Sequence, residues 1–142
     1  MTATVVNLQR KVPLDIKAIR QFASDVTTRI EEVDSRDVAV AFVSDRRMKE
    51  LNSFFRGKDL TTDVLSFPTE PDEFDPKPSA LGDIVVSVEQ ASKQAIENGL
   101  ALENEIKQLI LHGVLHLCGY DHETDDGEMD ARELDLRAML KI

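Results

Sequence analysis

All three histidines of the chain fall within eleven residues, HGVLHLCGYDH at 112–122, which is the pattern H-x-x-x-H-x-x-G-x-x-H. Residues four apart on a helix leave the same face one turn apart. His112 and His116 can therefore meet one ion if this segment is helical. Gly119 can take the positive φ that ends a helix, and the turn after it can swing His122 back to supply a third nitrogen. The C-terminal part of the chain is thus constrained to a helix followed by a tight turn. Three nitrogens and an open fourth position are what a catalytic zinc uses to bring the pKa of water down to ~7.

Other uses of these residues are weighed against that one. Histidines four apart also arise by chance, but all three of the chain's histidines are gathered here around a turn glycine. A structural metal usually has four protein ligands. Cys118 could complete such a set, yet it lies two residues from His116 and should point elsewhere, as a buried small apolar side chain. Asp121 could be a ligand, and fits better as a group that orients an imidazole from behind. The spacing equals that of the metzincin proteases, except that Gly113 stands where they carry a glutamate base. Without that carboxylate, peptide hydrolysis lacks its proton shuttle. Gly113 also suits close packing of another backbone against the helix.

Upstream, Ala3 to Leu8 reads as a strand. Pro13 opens a helix whose apolar positions run Ile16, Ile19, Phe22, Val26, Ile30 and Val33. The run Val38 to Val43 is a buried strand. Ser44 caps a helix with Met48, Leu51 and Phe55 inward and Gly57 at its end. Thr62 to Phe67 is a further strand, and PTEPDEFDPKPSA, residues 68–80, is an exposed loop with four of the five prolines. Gly82 to Val86 is a strand, and Ser87-Val88-Glu89-Gln90 fits a capping box opening a helix to Asn98-Gly99. Two more helices cover Leu102 to Cys118 and Asp126 to Leu140. The β-β step excludes a simple parallel Rossmann pattern and points to an α+β fold, a mixed sheet with packed helices.

A length of 142 residues fits one domain, 1–142, and 42% apolar residues suffice for a core. No apolar run approaches the ~20 residues that cross a bilayer. MTATVVNLQRK lacks the features of a signal peptide. One cysteine cannot form an internal disulfide, so a cytoplasmic location is expected. The net charge of −10 argues against a non-specific nucleic-acid coater. Residues 1–60, however, carry 11 basic and 9 acidic side chains, against 6 and 18 in the remainder, so a local basic patch remains available.

Three segments in order resemble one known family. HGVLHLCGYDH is similar to the signature of the YbeY family of bacterial endoribonucleases and rRNA maturation factors. ELNSFFRGKDLTTDVLSFP, residues 50–68, is similar to its L-N-x-x-[FY]-R-x-x-x-x-x-T-D-V-L-S-F segment, and LGDIVVS, residues 81–87, followed by a helix, is a third match. Leu60-Thr61 departs from the more usual polar-proline pair. The resemblance implies a zincin-like α+β domain with the metal site on a C-terminal helix and the following turn. It implies His112, His116 and His122 as ligands of one divalent ion, Zn2+ first among the choices, and Arg56 as the arginine near the metal. It further implies a single-strand-specific endoribonuclease that matures the 3′ end of small-subunit rRNA and serves ribosome quality control. The implied partners are ribosomal RNA and the small ribosomal subunit, with ribosomal proteins or assembly factors, and no membrane.

On that basis Arg56 and His112 are the catalytic candidates. A guanidinium can fork onto two phosphate oxygens and stabilise charge in the transition state, although a basic residue in a last helical turn is also favoured by the dipole alone. Asp63, Asp83 and Asp121 are candidates for supporting the ligands, and each could equally cap a turn. Arg46, Arg47, Lys49 and Lys58, with Arg56, form the best candidate patch for RNA backbone, or a solvated helix face. The acidic run from Asp121 to Asp130 reads as solvated. The rivals are a metallopeptidase-like hydrolase and a non-catalytic, metal-stabilised ribosome assembly factor.

Overall fold

A computed structural model describes residues 3–142; the first two residues of the N-terminal stretch discussed above lie outside the described residues. Strand β1 (Ala3–Asn7) leads to helix α1 (Ile16–Arg29), β2 (Asp37–Val43), α2 (Asp45–Arg56), β3 (Val64–Pro68), β4 (Ala80–Ser87), α3 (Val88–Asn98), α4 (Leu102–Leu117) and α5 (Glu128–Leu140). The sheet order is β1-β2-β4-β3. β1, β2 and β4 run parallel, and β3 lies antiparallel to β4 at the edge. This is a mixed α+β architecture. The antiparallel step follows from the long proline-rich loop, which lets the chain reverse from β3 and insert β4 beside β2.

Alternation along the strands separates two faces. Val38, Val40, Phe42, Ile84 and Val86 face one side and join α1, α4 and α5 in the main core. Val43, Leu65 and Val85 face the other, where Met48 of α2 is fully buried. α4 is the central helix, with Ile106, Ile110, Leu111, Val114 and Leu115 all at most 1% exposed. Gly113 lets it lie down on β4: a Cβ there would come within 3.0 Å of Ile84. The close neighbour is thus a side chain rather than the backbone expected from sequence.

Several local expectations change. Asp15, not Pro13, starts α1, its carboxylate accepting from the Ala18 N–H. α1 ends at Arg29, since Ile30 is extended and Glu31–Val33 forms a 3-10 turn. Ile30 and Val33 are still buried, which is why the apolar spacing runs past the helix end. Phe55 does not face inward: it is 57% exposed, its ring edge-on to Phe67 of the edge strand. Half of the capping box forms. The Ser87 hydroxyl accepts from the Gln90 N–H, but the Gln90 amide donates to Asp45 instead of returning to Ser87. Asp45 also accepts from Ser87 and Thr61, which ties the start of α2 to the end of β4. These hydrogen bonds hold its carboxyl below the usual range against the opposing effect of burial.

Candidate metal centre

His112 and His116 project from the last two turns of α4. The helix stops because Gly119 takes φ +100 and Tyr120 donates its N–H back to Leu115 O. That turn returns His122 to its partners. The three ring centroids lie 4.7, 5.5 and 5.4 Å apart, and one ligand nitrogen from each histidine falls within 4.8 Å of the others. This group could hold a metal ion.

The hydrogen bonds decide which nitrogens point inward. His112 Nδ1 lies 2.8 Å from Glu133 Oε1, and His116 Nδ1 lies 3.0 Å from the Tyr120 carbonyl. A carbonyl accepts only, so His116 carries its proton on Nδ1. Glu133 is ionised: burial raises its pKa, but the hydrogen bond and charge of His112 and the charge of Arg137 bring it below the ordinary value. It fixes the same tautomer on His112. Burial, followed by the neighbouring His112, holds the His116 pKa down and keeps that ring neutral. The two Nε2 atoms, turned away from Glu133 and the Tyr120 carbonyl, lie 3.1 Å apart. With both rings in the Nδ1–H tautomer, these two nitrogens can ligate one cation. The separation is near the roughly 3.3 Å expected of two tetrahedral nitrogen ligands at ~2.0–2.1 Å. The donor set fits a borderline divalent ion.

The turn is braced from behind. The Tyr120 hydroxyl donates to Glu32 at 2.9 Å, and Arg132 of α5 forks onto the same carboxylate with two bonds of 2.8 Å. Hydrogen bonding from Arg132 leads the effects that lower the Glu32 pKa to about 2. Arg137 holds the second oxygen of Glu133 at 3.1 Å. Cys118 stands outside the histidine cluster, half-buried against the core, where burial pushes its thiol up to about 11; it behaves as a small packing residue.

A cavity of ≈ 720 Å³ opens between β3 and the histidine turn. Arg56 lines it with His112, His116 and His122, and makes no ion pair or hydrogen bond among the described residues. Asp63 also lines it, but its carboxylate is engaged by the Val64 N–H and the Gln94 amide, shaping the entry to β3. Asp121 borders the cavity and accepts from the Glu123 N–H; the imidazole of His116 is oriented by the Tyr120 carbonyl instead. Asp83 is a correction: strand alternation places it with Phe67 and Val85, on the sheet face away from α4, exposed and outside the cavity. Arg46, Arg47 and Lys49 form exposed ion pairs with Glu50 or Asp59 and lie outside the cavity, as does Lys58, which is unpaired among the described residues. Glu133, Glu32 and Arg132 are the participants that local motifs do not reveal; Tyr120 sits inside the histidine motif, where only its identity and not its contacts is legible.

Residues 4–141 match the family described as Endoribonuclease YbeY. The chain is similar to the protein of that name from Nautilia profundicola, at 49% identity over 107 residues, which is 75% of this chain and 74% of the relative. A relative of the same name from a Thermoanaerobacter species is 34% identical, covering 100% of this chain and 98% of its own length. A solution structure from Thermotoga maritima, the protein TM1509, aligns with a TM-score of 0.65 at 28% identity, covering 97% of this chain and 88% of that one.

Proposed function

The chain belongs to the endoribonuclease YbeY family, and from that premise we propose that it cuts single-stranded ribosomal RNA with a divalent metal at His112, His116 and His122, maturing the 3′ end of the small-subunit rRNA. The observation that carries the proposal is the convergence of three histidine nitrogens in a cavity shared with an arginine that is unpaired among the described residues. Zinc is the proposed ion, which would make the site zincin-like. Bound there, the ion would supply Lewis acidity and water active as a nucleophile at neutral pH.

The chain's own residues do the rest. Arg56 forks onto the non-bridging oxygens of the phosphate and offsets charge as the phosphorus is attacked. Its side chain is free to do so because no carboxylate among the described residues competes for it. Glu133 and the Tyr120 carbonyl hold the two helix-borne rings in the ligating tautomer. Gly113 carries no carboxylate of the kind a peptidase would place there, and a side chain at that position would press on Ile84, its Cβ within 3.0 Å. The proposed setting is the cytoplasm, on the small ribosomal subunit with ribosomal proteins or assembly factors; among the described residues no helix is long and apolar enough to cross a membrane.

Single-turnover cleavage of a precursor small-subunit rRNA fragment tests this, with metal content measured alongside. His116→Ala is expected to lose both metal and cleavage, and Arg56→Ala to keep its metal and lose about 10²–10³ in rate. Full cleavage by metal-free His116→Ala would overturn the nuclease. The net charge of −10 then favours a second reading, an assembly factor that docks on basic ribosomal proteins.

A further inference from the structure

Phe54 and Phe55 stand side by side at the end of α2, 82% and 57% exposed. The core beneath α2 is filled without them, by Met48 and Leu51 against Val43, Leu65 and Val85. The rings form a connected step. Phe55 meets Phe67 of β3 edge-on with centroids 5.1 Å apart, and Phe54 meets Phe55 at 4.8 Å. Phe67 and Phe55 line the cavity of Arg56 and the histidines. Phe54 lines a separate shallow groove of ≈ 440 Å³ with Arg46, Lys49, Glu50, Ser53 and Asp59. An aromatic path thus runs from the proposed reaction centre, over the end of a helix, to a groove bearing two cations loosely paired with Glu50 and Asp59.

Resting on the endoribonuclease reading, we propose that Phe55 and Phe54 are a stacking platform for two consecutive unpaired nucleobases beside the scissile phosphate, whose strand continues to Arg46 and Lys49. Every base has a π-face, so such a platform binds single strands with little regard to sequence. Bases within a duplex are already stacked on both sides and cannot splay onto it. Arg46 and Lys49 are able to turn to phosphates, because their ion pairs are 3.9 Å long and largely in solvent. Continuity with the Arg56 cavity favours RNA over a protein as the occupant.

The test is single-turnover cleavage of a short unstructured RNA by the full zinc-loaded chain. Phe55→Ala and Phe54→Ala are each expected to raise the half-saturating concentration by roughly 5- to 150-fold with little change in maximal rate, and Phe55→Trp to restore it. Wild type acting on an RNA with an abasic site at the stacked position should lose the same factor, and Phe55→Ala should lose no more on that substrate. Phe74→Ala, which removes an 89% exposed ring outside both cavities, should leave saturation unchanged. Wild-type saturation by both variants, or additive losses on the abasic RNA, would overturn the platform while leaving the nuclease intact. Altered self-association of the variants with unchanged RNA saturation would overturn it too, in favour of a protein contact. If wild type itself neither binds nor cuts the RNA, the underlying nuclease reading falls.

Discussion

Glu133 accepts a hydrogen bond from the Nδ1–H of His112 across 2.8 Å, joining α4 to α5, the last helix of the chain. A carboxylate behind a ligating imidazole fixes its tautomer and raises its basicity. Glu133→Ala is therefore expected to weaken zinc binding by about 10- to 100-fold, with Glu133→Gln intermediate because the amide still accepts the bond. Titration calorimetry of metal-stripped protein measures it; unchanged affinity in the alanine variant would remove Glu133 from the site.

Acid should loosen the histidine turn through Glu32. Its pKa is lowered to about 2 from an ordinary 4.5, so its stabilising contribution is complete above pH 4.5 and is lost as pH falls toward 2. Allowing for solvent screening of this partly exposed pair, the loss is about 1–2 kcal/mol. Denaturant midpoints measured across that window should fall for wild type and be flatter for Glu32→Gln. Parallel curves would contradict the assignment.

Gly82 sits at φ +155 with Phe67 O only 2.5 Å, and Leu117 Cδ2 only 2.7 Å, from where a Cβ would stand. Backbone cannot yield as a flexible side chain can. Gly82→Ala should cost about 3 kcal/mol or more, combining overpacking with backbone strain. Equilibrium unfolding checks this, and a loss below 1 kcal/mol would show that the β3–β4 pair can shift.

Stripping the metal should lower the thermal midpoint. An ion at 100 times its dissociation constant stabilises by about 2.7 kcal/mol, or about 10 °C for a chain of this size. His122→Ala should reduce the difference between loaded and stripped protein. Identical midpoints for the two wild-type forms, with metal loss verified, would mean that the histidines hold no ion.

The three histidines are legible in the sequence because their geometry is local: a helical spacing of four and a turn glycine bring them together without distant help. The strands and helices are legible for the same reason. What orients His112 and braces the turn is not. Glu133 is 21 residues from His112, and Glu32 is 88 residues from Tyr120 and 100 from Arg132, separations for which no spacing rule exists. The helical period also misplaces Phe55, since it reports which side of a helix a residue occupies but not where the sheet beneath it ends. Asp83 fails as a site residue through register: one strand position decides which face a side chain takes.

Arg56 and the histidine pair reach the cavity from helices packed on opposite faces of the sheet, and they meet across its edge strand, β3. The gap between them is accordingly a dimension of the layered stack, indexed by Asp45 at one end and by the seat of Gly113 on Ile84 at the other. Loop length does not enter it. The proline-rich connection between β3 and β4 can drift or lengthen without detuning the proposed reaction centre, whereas a change in how either helix rides on the sheet would move Arg56 relative to the histidines.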